Sequence, residues 1–335
     1  MARSTIAITM GDPAGVGPEI VLAALAGESH RAVVIGDAGR LKLAGQILPR
    51  GGPRLRPINS PSEAHFEPGL VNVIDLANVP ADLPWGELSE VAGAAAYAYL
   101  EHATRLALAG DVAALCTAPI NKEAWRQAGI PHAGHTEALA ALCGSQTYAM
   151  MLVNRRLRVV HQSTHASLAA AVEKATTERC LDCVRLAAGF LREHAGLSAP
   201  RIAVAGINPH AGENGLLGRE EQERFVPAVE QARQAGIDAT GPWSPDTIFL
   251  RGSEGEFDAV VAAYHDQGHI PSQDARSRQR RERDHRPPYR PHLGRPRYCV
   301  RHRRNRPGEA GQPACRAAVG RGAGRELLTG SSKDR

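Results

Sequence analysis

Short apolar runs of strand length alternate along the chain with stretches in which apolar residues return every three or four positions. That is the rhythm of an α/β protein with largely parallel sheets. The runs predict strands over Thr5–Met10, Ala32–Gly36, Val71–Leu76, Val112–Thr117, Tyr148–Val153, Arg158–Gln162, Arg201–Ile207 and Ala259–Tyr264. The helical spacing predicts helices over Pro18–Leu25, Glu90–Leu108, Asn121–Ala128, Thr136–Leu142, Ser167–Glu173, Thr177–His194 and Glu220–Gln234. Most strands run into a cluster of Gly, Pro, Asp or His before the next helix, and in such sheets ligands sit at the carboxyl ends of the strands.

The rhythm stops after Pro271. Residues 272–306 contain 13 arginines and almost no aliphatic side chains, so neither a strand nor an amphipathic helix with a core face is expected there. The chain therefore divides into an α/β region, 1–271, and an arginine-rich tail, 272–335, expected to be disordered. A length of 335 residues leaves room for two interleaved α/β subdomains within the first region.

Charge follows the same division. The net charge of +5 would raise the question of a nucleic-acid partner, but 18 of the 40 basic residues and only 6 of the 35 acidic ones lie in 272–335. The preceding 271 residues hold 22 basic against 29 acidic, so the α/β region is acidic and no nucleic-acid partner is expected. The start of the chain shows no charged-then-apolar leader, and no apolar run is long enough to span a bilayer; a cytoplasmic protein without a membrane partner is expected. Of the six cysteines only Cys180 and Cys183 are closely spaced. They fall in a helical stretch, where two cysteines on neighbouring turns are a packing feature more often than a metal or redox pair.

Chemistry concentrates where strands end. Gly11-Asp12-Pro13-Ala14-Gly15-Val16-Gly17-Pro18-Glu19 joins a strand to a helix, with glycines that permit close backbone approach and Pro18 suited to a first helical turn. A tight strand-to-helix turn explains it equally well. In Gly134-His135-Thr136-Glu137, Thr136 is placed to cap the following helix; His135 and Thr136 could also hydrogen-bond a substrate. His165, His210 and His265 each end or follow a strand, His210 beside Pro209 and His265 beside Asp266. Imidazole is the commonest metal ligand, and three from separate loops leave coordination positions open for a substrate. Asp246 or Asp266 could orient such a ligand through its second ring nitrogen.

The strings G-D-P-A-G-V-G-P-E, G-H-T-E, S-T-H, G-I-N-P-H-A-G-E, P-D-T and Y-H-D-Q-G-H-I-P occur in the order seen in the 4-hydroxythreonine-4-phosphate dehydrogenases, a resemblance that covers nearly all of residues 5–271. The resemblance implies the fold of the isocitrate and isopropylmalate dehydrogenases, two α/β subdomains around a central cleft. It also implies a homodimer with a divalent ion (Zn, Mg, Co or Mn) at the interface, held by His165 and His210 of one subunit and His265 of the other. His135 and Thr136 match the substrate-binding pair. The implied reaction is oxidation of 4-phosphooxy-L-threonine by NAD or NADP, with decarboxylation to 3-amino-2-oxopropyl phosphate. Asp246 is the candidate acceptor of the hydroxyl proton.

Gly268-His269-Ile270-Pro271 and N-P-H-A-G-E-N-G-L-L-G lean toward a branch acting on related acids, 4-phospho-D-threonate and 4-phospho-D-erythronate. A metal-dependent phosphohydrolase using the same histidines, and a non-catalytic RNA-binding protein driven by the tail, are the alternatives of other classes.

Beyond Pro271 the family carries a lysine, an asparagine and an arginine that hold substrate, where this chain has Gln273, Glu282 and Pro291. A loss so abrupt points to a shifted reading frame. Arg301-His302-Arg303-Arg304-Asn305-Arg306 can be encoded CGA CAT CGC CGG AAC CGG, which read one base later gives D-I-A-G-T-G, the family's own string at that place.

Overall fold

The computed structural model describes residues 5–48, 51–154, 156–283 and 298–301. They fall into two compact units that divide between Gln146 and Thr147.

In unit one, five parallel strands are ordered β3-β4-β2-β1-β5: β1 (Ile6–Thr9), β2 (Ala32–Gly36), β3 (Arg54–Ile58), β4 (Leu70–Asp75) and β5 (Ala114–Thr117). Register is fixed by Ile6 opposite both Ala32 and Ala114. The central strand β2 is buried throughout, which is why it reads as an unbroken apolar run. Helices α1 (Gly17–Leu25), α2 (Ala38–Ile47) and α3 (Glu90–Ala109) contribute Leu22, Leu41, Tyr99 and Ala103 to a core shared with Val33, Ile35 and Val73. Ser89 caps α3 through the Ala92 N–H, and Gly110, at φ +86°, ends it. On α3, a side chain at Gly93 would collide with the Ala124 carbonyl of α4 (Lys122–Gln127). The unit ends with α5 (His135–Leu142).

Unit two holds a six-stranded sheet in the order β11-β6-β7-β10-β8-β9. Its strands are β6 (Tyr148–Val153), β7 (Arg158–His161), β8 (Ile202–Ala205), β9 (Ala239–Trp243), β10 (Ala259–Ala262) and β11 (Tyr298–Arg301). Strands β7, β10, β8 and β9 run parallel; β6 is antiparallel to β7 and to β11. Successive residues feed opposite faces. Val160, Val204 and Val261 join a core with α7 (Thr177–His194) and α8 (Val226–Gln234), while Val159, Ala203 and Val260 join one with α9 (Ile248–Ser253). The remaining helices are α6 (Leu168–Lys174) and α10 (His265–Arg283).

The α/β class and the eight expected strands are all present, within two residues at either end. The two strands missing from the pattern below residue 271, β3 and β9, each contain a proline, Pro57 and Pro242, and each lies at a sheet edge, the position where proline is tolerated. The helix expected over Glu220–Gln234 is split: Glu221–Phe225 forms a π-type turn before α8. Pro227 has no N–H to continue the regular ladder there.

Regular structure also continues past Pro271. The α10 backbone runs to Arg283, and β11 adds to the sheet beside β6. Arginine, glutamine and glutamate have good intrinsic helix propensity without an apolar face, and Tyr298-Cys299-Val300 suits a strand. Residues 284–297 and 302–335 of the expected disordered tail lie outside the described residues.

Candidate active site

Three of the four parallel strands of unit two deliver the candidate histidines. His165 follows β7, His265 follows β10 and His210 follows β8, and these strands are neighbours in that order. Asp246 follows β9, next in line. The arrangement puts all four at the carboxyl edge of one sheet. His165, His210 and Asp246 are exposed and His265 is half-buried. Among the described residues of the single chain, no three His, Cys, Asp or Glu side chains are grouped to hold a metal ion.

The loop carrying His210 has an unusual backbone. Residues His210, Ala211, Gly212, Glu213 and Asn214 all have φ between +45° and +78°, a left-handed turn that costs about 1–2 kcal/mol for each non-glycine residue. A buried carboxylate holds it. Glu221, 2 % exposed, accepts the backbone N–H of Ile207 at 2.8 Å and of Asn208 at 2.7 Å on one oxygen, and the Asn208 side-chain amide at 2.9 Å on the other. Glu220 takes the same amide at 2.7 Å. Strain kept in place by its surroundings is characteristic of functional loops.

His265 opens α10. Its Nδ1 lies 2.6 Å from the Asp266 carboxylate, an acceptor for a hydrogen on Nδ1; in the neutral imidazole that arrangement gives Nε2 the lone pair a metal ligand needs. Of the two carboxylates considered for this task, Asp266 is the one that contacts a candidate histidine ring. Asp246 instead accepts the Ser244 hydroxyl; that bond, with His210 nearby, holds the Asp246 carboxyl below its ordinary range. Gln267 ties two of the loops together. Its buried amide accepts from the Ala263 N–H and donates to the Gly206 carbonyl, both at 2.7 Å, linking the turn that carries His265 to the end of β8, four residues before His210.

In unit one, His135 and Thr136 lie in the first turn of α5, half-buried. The capping expected of Thr136 does not occur. The helix starts one residue earlier, with Gly134 at the cap position and no side-chain cap, so the Thr136 hydroxyl has no helix end to close. The His135 ring meets the edge of Trp125, with centroids 5.8 Å apart. Close by in sequence, Lys122 lines a concavity of about 570 Å³ with Asp12, Gly15, Val16, Pro119 and Asn121. It lies at the carboxyl ends of the neighbouring parallel strands β1 and β5, the edge of such a sheet at which ligands sit. The Gly11–Glu19 segment is built for this spot. A side chain at Gly11 would strike the Pro119 carbonyl and one at Gly17 the Met10 carbonyl, while Asp12 accepts the Ala14 N–H at 2.8 Å. Burial raises the Asp12 carboxyl above its ordinary range. Buried Arg40 braces the loop by donating to the Pro13 carbonyl at 2.6 Å.

Cys180 and Cys183 are buried in α7, and burial pushes the Cys183 thiol up to about 11. They are core residues, not a reactive pair. Among the described residues no helix is long and apolar enough to cross a membrane.

Two α/β units with polar residues collected at the ends of parallel strands have the fold of an α/β dehydrogenase. The chain belongs to the family of the pyridoxal phosphate biosynthetic protein PdxA, whose family model matches residues 28–277. It is 48% identical over 272 residues to the D-threonate 4-phosphate dehydrogenase of Cupriavidus necator, covering 79% of this chain and 81% of that protein. It is 45% identical over 276 residues to the 4-hydroxythreonine-4-phosphate dehydrogenase of Desulfosudis oleivorans, covering 80% and 81%. The solved structure of the 4-hydroxythreonine-4-phosphate dehydrogenase from Klebsiella pneumoniae superposes with a TM-score of 0.76 at 47% identity, over 81% of this chain and 83% of that one.

Glu221 and Gln267, which brace the segments carrying His210 and His265, were not singled out from the sequence. Each acts on a residue distant along the chain, and no local spacing announces such a contact.

Proposed function

We propose that the chain's active form oxidises the C3 hydroxyl of a four-carbon phosphorylated hydroxy acid with NAD or NADP, as a homodimer. A divalent ion would be held by His165 and His210 of one subunit and His265 of the other. The observation that carries the metal assignment is the His265–Asp266 contact, which fixes one ring nitrogen and frees the other. Three imidazoles would suit a zinc- or cobalt-type ion that keeps open positions. When bound, the ion supplies Lewis acidity toward the substrate's hydroxyl and the ketone derived from it, and the nicotinamide accepts the hydride. The concavity of unit one, about 570 Å³ with Lys122 on its wall, has room for part of an anionic molecule of this kind.

In this reading His135 and Thr136 hydrogen-bond the substrate, and Asp246, kept ionised by the Ser244 hydroxyl, receives the proton of the hydroxyl. Loss of carbon dioxide from the β-keto acid follows. The relatives shift the balance between the two substrates expected from sequence: the D-threonate 4-phosphate enzyme is 48% identical and the 4-hydroxythreonine-4-phosphate enzyme 45%, so D-threonate 4-phosphate becomes the first candidate. Residues 272–335 are read as a shifted frame. The family match ends at residue 277, and Gln273, Glu282 and Pro291 cannot supply the lysine, asparagine and arginine that the resemblance calls for.

The test is a gene restored in frame after the Pro271 codon. Its product is assayed by nicotinamide absorbance with a divalent ion and, separately, D-threonate 4-phosphate, D-erythronate 4-phosphate and 4-phosphooxy-L-threonine. Metal-dependent NAD(P) reduction is expected, strongest with D-threonate 4-phosphate, and little or none from the chain as written. Phosphate release without NAD(P) would instead establish the phosphohydrolase reading.

A further inference from the structure

Two further histidines, His161 and His269, are buried in unit two, 0 % and 4 % exposed, and the proposed reaction uses neither. They form a chain that ends on His265. The His161 Nδ1 faces the Met150 carbonyl at 3.4 Å; a carbonyl only accepts, so this nitrogen carries the hydrogen and Nε2 is the acceptor. The His269 Nδ1 lies 3.2 Å from that acceptor and 3.0 Å from the His265 carbonyl. With acceptors on both sides, it too carries the hydrogen. The His269 ring lies flat on the His265 ring, centroids 3.6 Å apart and planes 13° from parallel.

The packing leaves no slack around this arrangement. A Cβ at Gly268 would sit 2.3 Å from the His161 Nε2 and 2.7 Å from the Val159 Cγ1, so only glycine lets the first turn of α10 close onto the His161 ring. Asp266 meanwhile engages the His265 Nδ1. The His265 ring is thus gripped at one face and one edge, with its orientation set from β7, an element separate from its own.

We propose that His161 and His269 are positioning residues: His161 fixes the ring plane and tautomer of His269, and His269, stacked on His265, holds that imidazole with Nε2 directed for ligation. The inference rests on the reading of His265 as a metal ligand. Residues that orient a ligating histidine typically change metal affinity 10–100-fold when removed.

The experiment titrates the metal-free full-length chain with Co²⁺ alone, against a competing chelator, and records the cobalt d–d spectrum. His269→Leu should weaken binding at least about tenfold and alter the spectrum while leaving the metal-free circular dichroism unchanged. His161→Leu should do the same, and the double variant should lose no more than either single one, because both act through one ring. Should the buried substitutions prevent folding, ring-nitrogen NMR of the unaltered, histidine-labelled protein tests the same arrangement. His161 and His269 are expected to be protonated at Nδ1, and a hydrogen on Nε2 alone of either ring overturns the proposal. Affinity within twofold of the original in His269→Leu, with binding abolished in His265→Ala, overturns the positioning role and leaves the metal reading standing. Unchanged affinity in His265→Ala overturns that reading and the inference with it.

Discussion

Replacing Glu221 by glutamine keeps the shape of the side chain and removes its charge, which isolates what the carboxylate does for the His210 loop. One oxygen receives two backbone N–H groups, from Ile207 and Asn208, and the other receives the Asn208 amide. With a neutral acceptor each backbone bond weakens by about 1 kcal/mol, and the new buried NH₂ faces another donor, costing about 1–3 kcal/mol more. The total, about 3–5 kcal/mol, is comparable with the strain of four non-glycine residues in left-handed conformation, at about 1–2 kcal/mol each. The turn should therefore relax locally before the sheet unfolds. Amide hydrogen exchange reads this directly: Ile207 and Asn208 in Glu221→Gln should exchange at least about a hundredfold faster, since about 1.4 kcal/mol corresponds to a factor of ten, while Val33 in unit one is unaffected. Exchange at Ile207 and Asn208 within threefold of the original would refute the claim that the carboxylate holds the turn.

Other substitutions probe the remaining supports. Gln267→Leu leaves the Ala263 N–H and the Gly206 carbonyl without their partner, so chemical denaturation should show a loss of about 2–5 kcal/mol, and metal affinity should fall with it. Burial holds the His161 imidazole down at about 3. A depressed value means its contribution to stability is complete above the ordinary histidine pKa near 6.5 and is lost as the pH falls from there toward 3; denaturation between pH 7 and 4 should show this slope, and His161→Gln should flatten it. Asp246→Asn in the in-frame protein should lower kcat by about 10²–10⁴ with metal affinity retained, the span usual for loss of an acid–base group. Cys180→Ala and Cys183→Ala should leave metal content unchanged, as measured by elemental analysis.

The buried strands were legible because both faces of each sheet are covered, so β2, β7, β8 and β10 appear as short apolar runs wherever they occur in the chain. Pro57 and Pro242 hid β3 and β9 from that pattern, and Gly39 and Gly45 hid α2, whose N-terminus is closed by Asp37 accepting the Arg40 N–H. The strand-end histidines stood out because each follows an apolar run, His210 and His265 with Pro209 or Asp266 beside them as well. Their supports did not. Glu221 acts across 14 residues, Gln267 across 61 and His269 on His161 across 108, separations that only the sheet order β7-β10-β8 brings together. Thr136 was misread as a cap because the helix already begins at His135, with Gly134 in the cap position.

The account turns on three histidines acting together in a site shared by two subunits, and subunit complementation tests that most directly. His210→Ala and His265→Ala are prepared separately in the in-frame protein, and each should be inactive. A mixed dimer of the two has one site with all three histidines intact and one with two replaced. Random reassociation of equal amounts should therefore restore about a quarter of the original NAD(P)-dependent activity. Activity that stays at zero after mixing, with mixed dimers demonstrated by mass, would contradict the shared site; full activity in either single variant would contradict the metal assignment itself.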